Sequence, residues 1–271
     1  YGLVGSEMCI RDSPIFNVNL SDENIAVKHI SEYQPNMIIG GPPCQDFSSA
    51  GKRDENNGRG DLTISYAKII SALKPSWFVM ENVSTITKST KLAVARDMFK
   101  QSGYGLTQIV LNAALCGVPQ RRKRFIMIGH LGEQDDFMLE TIKSRVSNKE
   151  MTVKDYFGEH IDVEYYYRHP RSYARRGIFS VNEPSPTIRG VNRPIPDGYK
   201  IHSNDPIQSL AGVRPLTTKE RSMIQTFPEN FIFVGGKSDL EQMIGNAVPV
   251  KLGEFIASAI NSYILTKQEL H

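Results

Sequence analysis

The sequence has few cysteines and histidines, and they do not form the patterns that disulfide frameworks or zinc sites need. Its three cysteines, Cys9, Cys44 and Cys116, are far apart, no Cys-x-x-Cys pair occurs, and the six histidines do not cluster at ligand spacing. We therefore expect neither a disulfide-stabilised fold nor a bound metal. A lone cysteine in such a chain is more often a packing residue than a chemical one, so a chemical role needs further support.

Long apolar runs are also missing. No stretch of about 18 apolar residues occurs, which predicts no membrane span, and the N-terminus lacks the basic-then-apolar order of a secretory signal. We therefore expect a cytoplasmic protein. With 271 residues, 40% of them hydrophobic and 23% charged, the chain can bury a core of one large domain plus a smaller one.

The net charge of +3 does not by itself indicate a nucleic-acid partner, but the charge is unevenly placed. Residues 165–200 carry seven basic side chains against the two acids Glu183 and Asp197. The basic residues are Arg168, Arg171, Arg175, Arg176, Arg189, Arg193 and Lys200. Tyrosines are interleaved with them, a mixture that suits phosphate contacts, guanine edges and base stacking. The segment is either a nucleic-acid interface or a solvated, loop-rich surface.

Strand and helix patterns alternate over the first half of the chain. Apolar runs predict strands at 37–39, 77–80, 108–111 and 124–128, and helical spacing predicts helices at 62–73 and 92–101. This order predicts the α/β class with a doubly wound, Rossmann-like parallel sheet. The last two strands are close in sequence, which leaves an antiparallel pairing open for them.

The pattern loosens between residues 132 and 213, which predicts an inserted small domain. Thr217 and Glu220 then form a capping box that predicts a helix ending at Phe227-Pro228. Pro249 predicts the start of the final helix.

Cys44 lies where chemistry is expected in such a fold. It follows a predicted buried strand and two prolines, and it precedes residues 45–60, a polar stretch without periodicity. Ligands bind beyond the carboxyl ends of strands in open parallel sheets, and a long structureless segment in a compact domain indicates a functional loop. We therefore interpret Cys44 as a reactive cysteine with a role in the chemistry and not as a packing residue.

Two further groups are expected near Cys44. Glu81 follows the next strand at the same edge, where a partly buried carboxyl can hold or donate a proton, although a surface acid is the alternative. Arg122 and Arg124 alternate in an extended segment, so both are predicted to face the cleft, unless the segment is only a solvated basic turn.

Four short blocks occur in a fixed order around the basic segment. They are Pro43-Cys44-Gln45, Glu81-Asn82-Val83, Gln120-x-Arg122-x-Arg124 and Gly245-Asn246-Ala247-Val248-Pro249. In order and spacing they resemble the DNA (cytosine-5) methyltransferase family of bacterial restriction-modification systems, over residues 30–265. Residues 214–228 resemble its penultimate block.

The resemblance implies methylation of C5 of cytosine in a short double-stranded DNA sequence, with S-adenosylmethionine as methyl donor. It implies that Cys44 attacks C6 of a flipped-out base, that Glu81 stabilises protonation at N3, and that Arg122 and Arg124 support the base, the nucleophile or phosphates. It also implies cofactor contacts by Asn19 or Asp22, Pro42, Pro43, Asn246 and Val248. The implied DNA contacts are Gln45, Ser48, Arg53, Arg168, Arg171, Arg175, Arg176, Arg189 and Arg193.

The implied domains are a catalytic domain at 14–131 and 214–271 and a target recognition domain at 132–213. We expect a monomer in the cytoplasm of a bacterium or archaeon, encoded with a restriction endonuclease but forming no stable complex with it.

The chain departs from the family at its start. The Phe-x-Gly-x-Gly-Gly turn and the acidic residue that follows it are absent before Cys44, and residues 1–13 match no element of the family. We interpret residues 1–13 as non-native, and we expect the chain to lack the first cofactor-binding unit, to bind the cofactor weakly and to tend to aggregate.

Three other functions fit parts of the sequence. A tRNA cytosine-5 methyltransferase shares the core, but the Cys-Phe-Thr tripeptide typical of that branch is absent. A catalytically impaired DNA-binding fragment would retain the basic segment. A thiol hydrolase or peroxidase is disfavoured because no histidine lies close in sequence to Cys44.

Overall fold

The computed structural model describes residues 16–43, 62–172 and 174–269. The helices are α1 (Glu23–Ser31), α2 (Leu62–Leu73), α3 (Thr90–Gln101), α4 (Leu139–Lys143), α5 (Val153–Phe157), α6 (Thr218–Ile224), α7 (Lys237–Asn246) and α8 (Val250–Glu269). The strands are β1 (Met37–Gly40), β2 (Trp77–Val83), β3 (Tyr104–Asn112), β4 (Gln120–Arg121), β5 (Lys123–Leu131), β6 (Tyr165–Tyr167), β7 (Ile178–Ser180), β8 (Ser185–Pro186) and β9 (Arg214–Pro215).

The described residues form two compact units. The sheet unit contains residues 16–43, 62–111, 123–145 and 259–269. The arginine-rich unit contains residues 112–122, 146–172 and 174–258. The predicted domain boundaries at 132 and 213 separate a catalytic from a recognition domain, and this division stays a prediction. The compact units differ from it, because residues 214–258 belong to the arginine-rich unit and residues 259–269 to the sheet unit.

The sheet unit is built on four strands in the order β1-β2-β5-β3. β1 runs parallel to β2, whereas β5 runs antiparallel to β2, with Val83 opposite Arg124. The sheet is therefore mixed, although the strand and helix pattern predicted a parallel one. Residues 113–122, which join β3 to β5, contain no α-helix and are too short for a parallel crossover.

Helices α2 and α3 supply the core of the sheet unit. Tyr66 and Ile70 of α2 and Phe99 of α3 are buried against Phe78 and Met80 of β2, because apolar residues recur on one face of each helix. The Tyr66 hydroxyl lies 3.3 Å from the Ile38 carbonyl and 3.1 Å from the Val79 carbonyl. Burial raises the pKa of Tyr66, so the phenol stays protonated and able to donate to the carbonyls of β1 and β2.

A second aromatic cluster holds the end of α8 in the sheet unit. Trp77, at the start of β2, is 8% exposed, and its ring centroid lies 4.1 Å from that of His130 and 6.0 Å from that of Tyr263 on α8. Glu133 accepts a hydrogen bond from the Tyr263 hydroxyl at 2.7 Å and pairs with Lys267 at 2.8 Å. The last turns of α8 are thereby fixed by both apolar and charged contacts.

Among the described residues, the segment Lys237–Glu269 contains an 18-residue stretch with a mean hydropathy of 1.2, the length and composition of a membrane-spanning helix. In the structure it forms two helices, α7 and α8, which are separated at residues 247–249. Core helices of globular proteins have the same length and composition, so the segment is weak support for a membrane span.

The arginine-rich unit contains a three-stranded sheet in the order β7-β6-β9 and a separate parallel pairing of β4 with β8. Tyr166 and Phe179 of this sheet share one apolar core with Ile188, Ile224 and Ile244. The basic segment and the block after residue 214 therefore fold around the same core.

Two helix boundaries follow the predicted signals, and one does not. Thr217 caps α6 in a reciprocal capping box with Glu220, and Pro249 directly precedes α8. α6 ends at Ile224, before the predicted end at Phe227-Pro228. Thr226 has a φ of 59°, a left-handed conformation that a right-handed helix cannot continue.

Candidate active site and nucleic-acid interface

The carboxyl end of β2 carries an ion pair between two of the predicted catalytic residues. The Arg124 Nε lies 2.7 Å from Glu81 Oε1, and the two side chains are only 13% and 19% exposed. The antiparallel register, in which Arg124 lies opposite Val83, brings the two groups together. Burial lowers the pKa of Arg124, and the negative charge of Glu81 opposes that shift. A partly dehydrated carboxylate is thereby held in a fixed position.

The residues that lead to position 44 are tied to the same strand end. The Asn82 side chain is 4% exposed, and its Nδ2 donates to the Pro42 carbonyl at 2.8 Å. A Cβ added at Gly41 would lie 3.4 Å from Glu81 Oε2, so this backbone passes close to the carboxylate. Pro42 is buried and Pro43 is exposed. The sequence motif contained Asn82 without indicating this role.

Four predicted residues cannot be placed. Cys44, Gln45, Ser48 and Arg53 lie outside the residues that the structure describes. The described cysteine, Cys116, is buried, and burial raises the pKa of its thiol to about 11. At neutral pH it is therefore a protonated thiol that packs in the interior, which distinguishes it from a nucleophile.

The two alternative candidates for a cofactor contact, Asn19 and Asp22, lie at the start of α1. Asp22 caps this helix, because its Oδ1 accepts a hydrogen bond from the Ile25 amide at 3.2 Å. Asn19 accepts hydrogen bonds from the Ser21 amide and hydroxyl through Oδ1. Both residues are exposed, so neither is preferred by burial.

Arg122 has a different environment from Arg124. It lies in the arginine-rich unit, is 2% exposed, and donates to main-chain carbonyls. These carbonyls are Ile188 at 3.2 Å, Gly245 at 3.2 Å and Ala247 at 3.0 Å. Its neighbour Arg121 is exposed and pairs with Glu150 at 2.6 Å.

The backbone of the block at 245–249 accepts hydrogen bonds from buried side chains, and the block contains two predicted cofactor contacts, Asn246 and Val248. Gln225 Nε2 donates to the carbonyls of Ile244 at 2.5 Å and Ala247 at 3.2 Å. Asn246 and Val248 are exposed, and Asn246 Oδ1 accepts from Gln242. An amide and an aliphatic side chain on such a fixed backbone suit the polar and apolar parts of an adenosine.

The six candidate arginines for DNA contact fall into two groups. Arg171, Arg175 and Arg193 are exposed. The other three are half-buried: Arg168 donates to the Thr187 carbonyl at 2.8 Å, Arg189 donates to the His169 carbonyl, and Arg176 pairs with Glu183 at 2.5 Å. Sequence could not separate these groups, because their partners depend on the fold.

Neighbouring arginines lower the pKa of Arg168 and the pKa of Arg189. This arginine cluster consists of Arg168, Arg171, Arg189, Arg193 and Arg221. Burial first, and then the charges of its neighbours, lower the pKa of Arg168 to about 9. Arg221 is paired with Glu241 at 2.6 Å. Positive charges gathered in this way attract a polyanion.

The described residues contain no group of three histidine, cysteine, aspartate or glutamate side chains that could hold a metal ion.

Comparisons with known proteins identify the family of the chain. The model of the C-5 cytosine-specific DNA methylase family matches residues 8–262. The Type II methyltransferase M.HindV of Haemophilus influenzae is 59% identical over 92% of this chain and 83% of its own length. The Type II methyltransferase M.HgiDI of Herpetosiphon aurantiacus is 54% identical over 93% of this chain and 81% of its own length.

Solved structures share the fold at low sequence identity. A Spodoptera frugiperda DNMT2 variant has a TM-score of 0.63 at 16% identity, covering 92% of this chain and 85% of that one. The Entamoeba histolytica methyltransferase EhMeth has a TM-score of 0.61 at 16% identity, covering 94% and 84%. The predicted α/β methyltransferase fold and enzyme class are confirmed, and the chain belongs to the C-5 cytosine-specific DNA methylase family.

Proposed function

We propose that this Type II cytosine-5 DNA methyltransferase acts through a covalent bond between Cys44 and C6 of a flipped-out cytosine, with S-adenosylmethionine as methyl donor. The observation that carries the proposal is the Glu81–Arg124 pair, together with the hydrogen bond from Asn82 to the Pro42 carbonyl, two residues before Cys44. A fixed carboxylate and a tethered nucleophile segment are what addition to a cytosine ring needs.

Cys44 begins the reaction because cytosine C5 is a poor nucleophile until a soft nucleophile has added to C6. The Cys44 thiolate forms a bond to C6, and Glu81 holds a proton at N3, which stabilises the electron-rich ring. Arg124 keeps the Glu81 carboxyl in place. After C5 has been methylated, the C5 proton leaves to a base and the C6–S bond breaks, which releases Cys44 as the thiolate.

S-adenosylmethionine supplies the methyl group when it is bound. In the arginine-rich unit the exposed Asn246 and Val248 would hold it, on a backbone fixed by Gln225. In the sheet unit the candidate cofactor contacts are Pro42 and Pro43, with Asn19 or Asp22.

DNA binding is assigned to the exposed arginines of the basic segment. Arg171, Arg175 and Arg193 are exposed and can reach phosphates and base edges, and the half-buried Arg168, Arg176 and Arg189 shape the surface through bonds to the protein. A monomeric state, a cytoplasmic location and the absence of a stable complex with an endonuclease stay predictions.

Trapping with DNA that contains 5-fluorocytosine tests the proposal. Fluorine replaces the C5 proton, so the enzyme cannot complete elimination and stays bound through Cys44. At saturating S-adenosylmethionine we expect a denaturation-resistant adduct with the wild-type chain, and no adduct with Cys44→Ser, which should still bind the duplex.

Cys116→Ser is the matched control, because Cys116 is a buried thiol. Loss of the adduct in this variant, or its persistence in Cys44→Ser, would contradict the assignment. Formation of the adduct on tRNA in preference to DNA would favour the RNA-modifying alternative.

A further inference from the structure

Both backbone groups of Ile188 are bound by buried side chains. The Ile188 amide donates to Gln120 Oε1 at 2.8 Å, and Arg122 Nη1 donates to the Ile188 carbonyl at 3.2 Å. Gln120 is fully buried and Arg122 is 2% exposed. Ile188 directly precedes Arg189, so these two side chains fix the start of residues 188–193, which we name the recognition segment.

The same side chains also hold the backbone at the end of α7. Gln120 Nε2 donates to Gln225 Oε1 at 2.8 Å, and Gln225 in turn donates to the Ile244 and Ala247 carbonyls. Arg122 Nη2 donates to the carbonyls of Gly245 and Ala247. Residues 244–248, which we name the cofactor block, are therefore bound by the network that binds the recognition segment.

The two segments also touch through their backbones. A Cβ added at Gly245 would overlap the main chain of Gly190 and the Arg189 carbonyl carbon, so only glycine permits this approach. Neither segment can shift without breaking hydrogen bonds to a side chain that it shares with the other. Buried polar networks of this kind specify one arrangement, because a partly broken network leaves polar groups unpaired.

We infer that Arg122, with Gln120 and Gln225, is a positioning residue that sets the recognition segment and the cofactor block in one register. This differs from the catalytic role that sequence suggested for Arg122. The inference rests on three hydrogen bonds that the Arg122 guanidinium donates, and all three acceptors are main-chain carbonyls. The inference rests on the proposed function, since it takes residues 188–193 as DNA-reading and residues 244–248 as cofactor-binding.

The consequence is that one substitution should disturb both ligands together. Lysine at position 122 keeps the charge but has a single ammonium group in place of the planar fork, so it cannot serve all three carbonyls. We expect Arg122→Lys to weaken S-adenosylhomocysteine binding by about tenfold, and to lower discrimination between target and off-target cytosines by about tenfold, the effect of losing one charged hydrogen bond. The single-turnover rate of methylation at saturation of both substrates should change by less than about threefold.

Three measurements give these quantities. Calorimetry measures S-adenosylhomocysteine affinity, single-turnover assays measure rate at saturation, and bisulfite sequencing of a randomised duplex library measures discrimination across all cytosine contexts at once. Arg121→Lys is the matched control, because Arg121 is the adjacent, exposed arginine paired with Glu150. It should leave all three quantities unchanged.

Gln120→Met supplies a second variant if Arg122→Lys does not fold, and it should shift the same two quantities in the same direction. A fall in turnover of about a hundredfold with unchanged affinity and discrimination would make Arg122 catalytic and overturn the inference. It would also be overturned if only one ligand were affected or if Arg121→Lys behaved in the same way. If the wild-type chain forms no adduct with 5-fluorocytosine DNA, the proposed function itself fails. If it forms the adduct and the variants behave like wild type, only the positioning role fails.

Discussion

Replacing Glu241 with glutamine removes the negative charge from a pair whose two side chains are each only 4% exposed. Arg221 Nε lies 2.6 Å from Glu241 Oε2, and Glu241 Oε1 accepts from the Thr218 hydroxyl at 2.8 Å. Burial lowers the pKa of Arg221, and Glu241 opposes that shift. In Glu241→Gln the burial of a positive charge is therefore uncompensated.

The expected loss follows from the burial of both partners. Removing one member of a buried pair costs about 3–5 kcal/mol of unfolding free energy. At about 2–4 °C per kcal/mol, the melting temperature should fall by about 6–20 °C. DNA affinity should fall as well, because Arg221 Nη2 donates to the Arg189 carbonyl at 2.5 Å and the loosened Arg221 would release the recognition segment.

The assay is unfolding by urea and by heat, monitored by circular dichroism. The double variant Arg221→Met/Glu241→Leu should recover most of the loss, since apolar residues of similar size often replace a buried pair without penalty. Glu159→Gln removes a mostly exposed partner of Lys154 in the same unit and should change stability by less than about 1 kcal/mol. A Glu241→Gln variant within about 1 kcal/mol of wild type, or a double variant as unstable as the sum of its singles, would refute the reasoning.

Three further predictions concern other parts of the molecule. Glu81→Gln should slow single-turnover methylation by about 10²- to 10⁴-fold while duplex binding persists, and an unchanged rate would exclude a proton-holding role. Gly245→Ala should lower the unfolding free energy by about 1–3 kcal/mol and weaken S-adenosylhomocysteine binding, since its Cβ would overlap Gly190; unaltered calorimetry would contradict this. The hydrogen bond from Lys267 lowers the pKa of Glu133 below its ordinary 4.5, so the pair stabilises the fold above that value and loses this effect as the pH falls through the lower folded-state pKa. The difference in unfolding free energy between wild type and Glu133→Gln should therefore shrink in acid. A difference that stays constant with pH would disprove this.

The strands and helices of the sheet unit could be predicted from sequence because their signals are local. Apolar runs and helical spacing predicted β1 and α2 nearly to the residue and the start of β2, which runs three residues beyond its predicted end, and the Thr217–Glu220 capping box predicted the start of α6. The sequence left an antiparallel pairing open for the last two strands, but the antiparallel pairing of β5 with β2 could not be obtained in this way, since it depends on which strand β5 meets.

The roles of the arginines show the same limit. Alternation placed Arg122 and Arg124 on one face, but the chain passes from one compact unit to the other between Arg122 and Lys123. The carbonyl partners of Arg122 lie at 188, 245 and 247, far along the chain, where no local pattern points to them. The pairing of Arg124 with Glu81 was predictable only because both belong to recognisable blocks.

The burial of Trp77 against His130 makes the protein's own ultraviolet emission a local reporter. Trp77 is the single tryptophan of the sequence, it is almost fully shielded from water, and Tyr263 on α8 stands beside it. Emission should shift to longer wavelength when the end of α8 leaves the sheet, because the indole then meets water. The signal comes from the sheet unit alone, whereas circular dichroism reports the helices of both units, so a loss of circular dichroism without a change in emission marks unfolding of the arginine-rich unit.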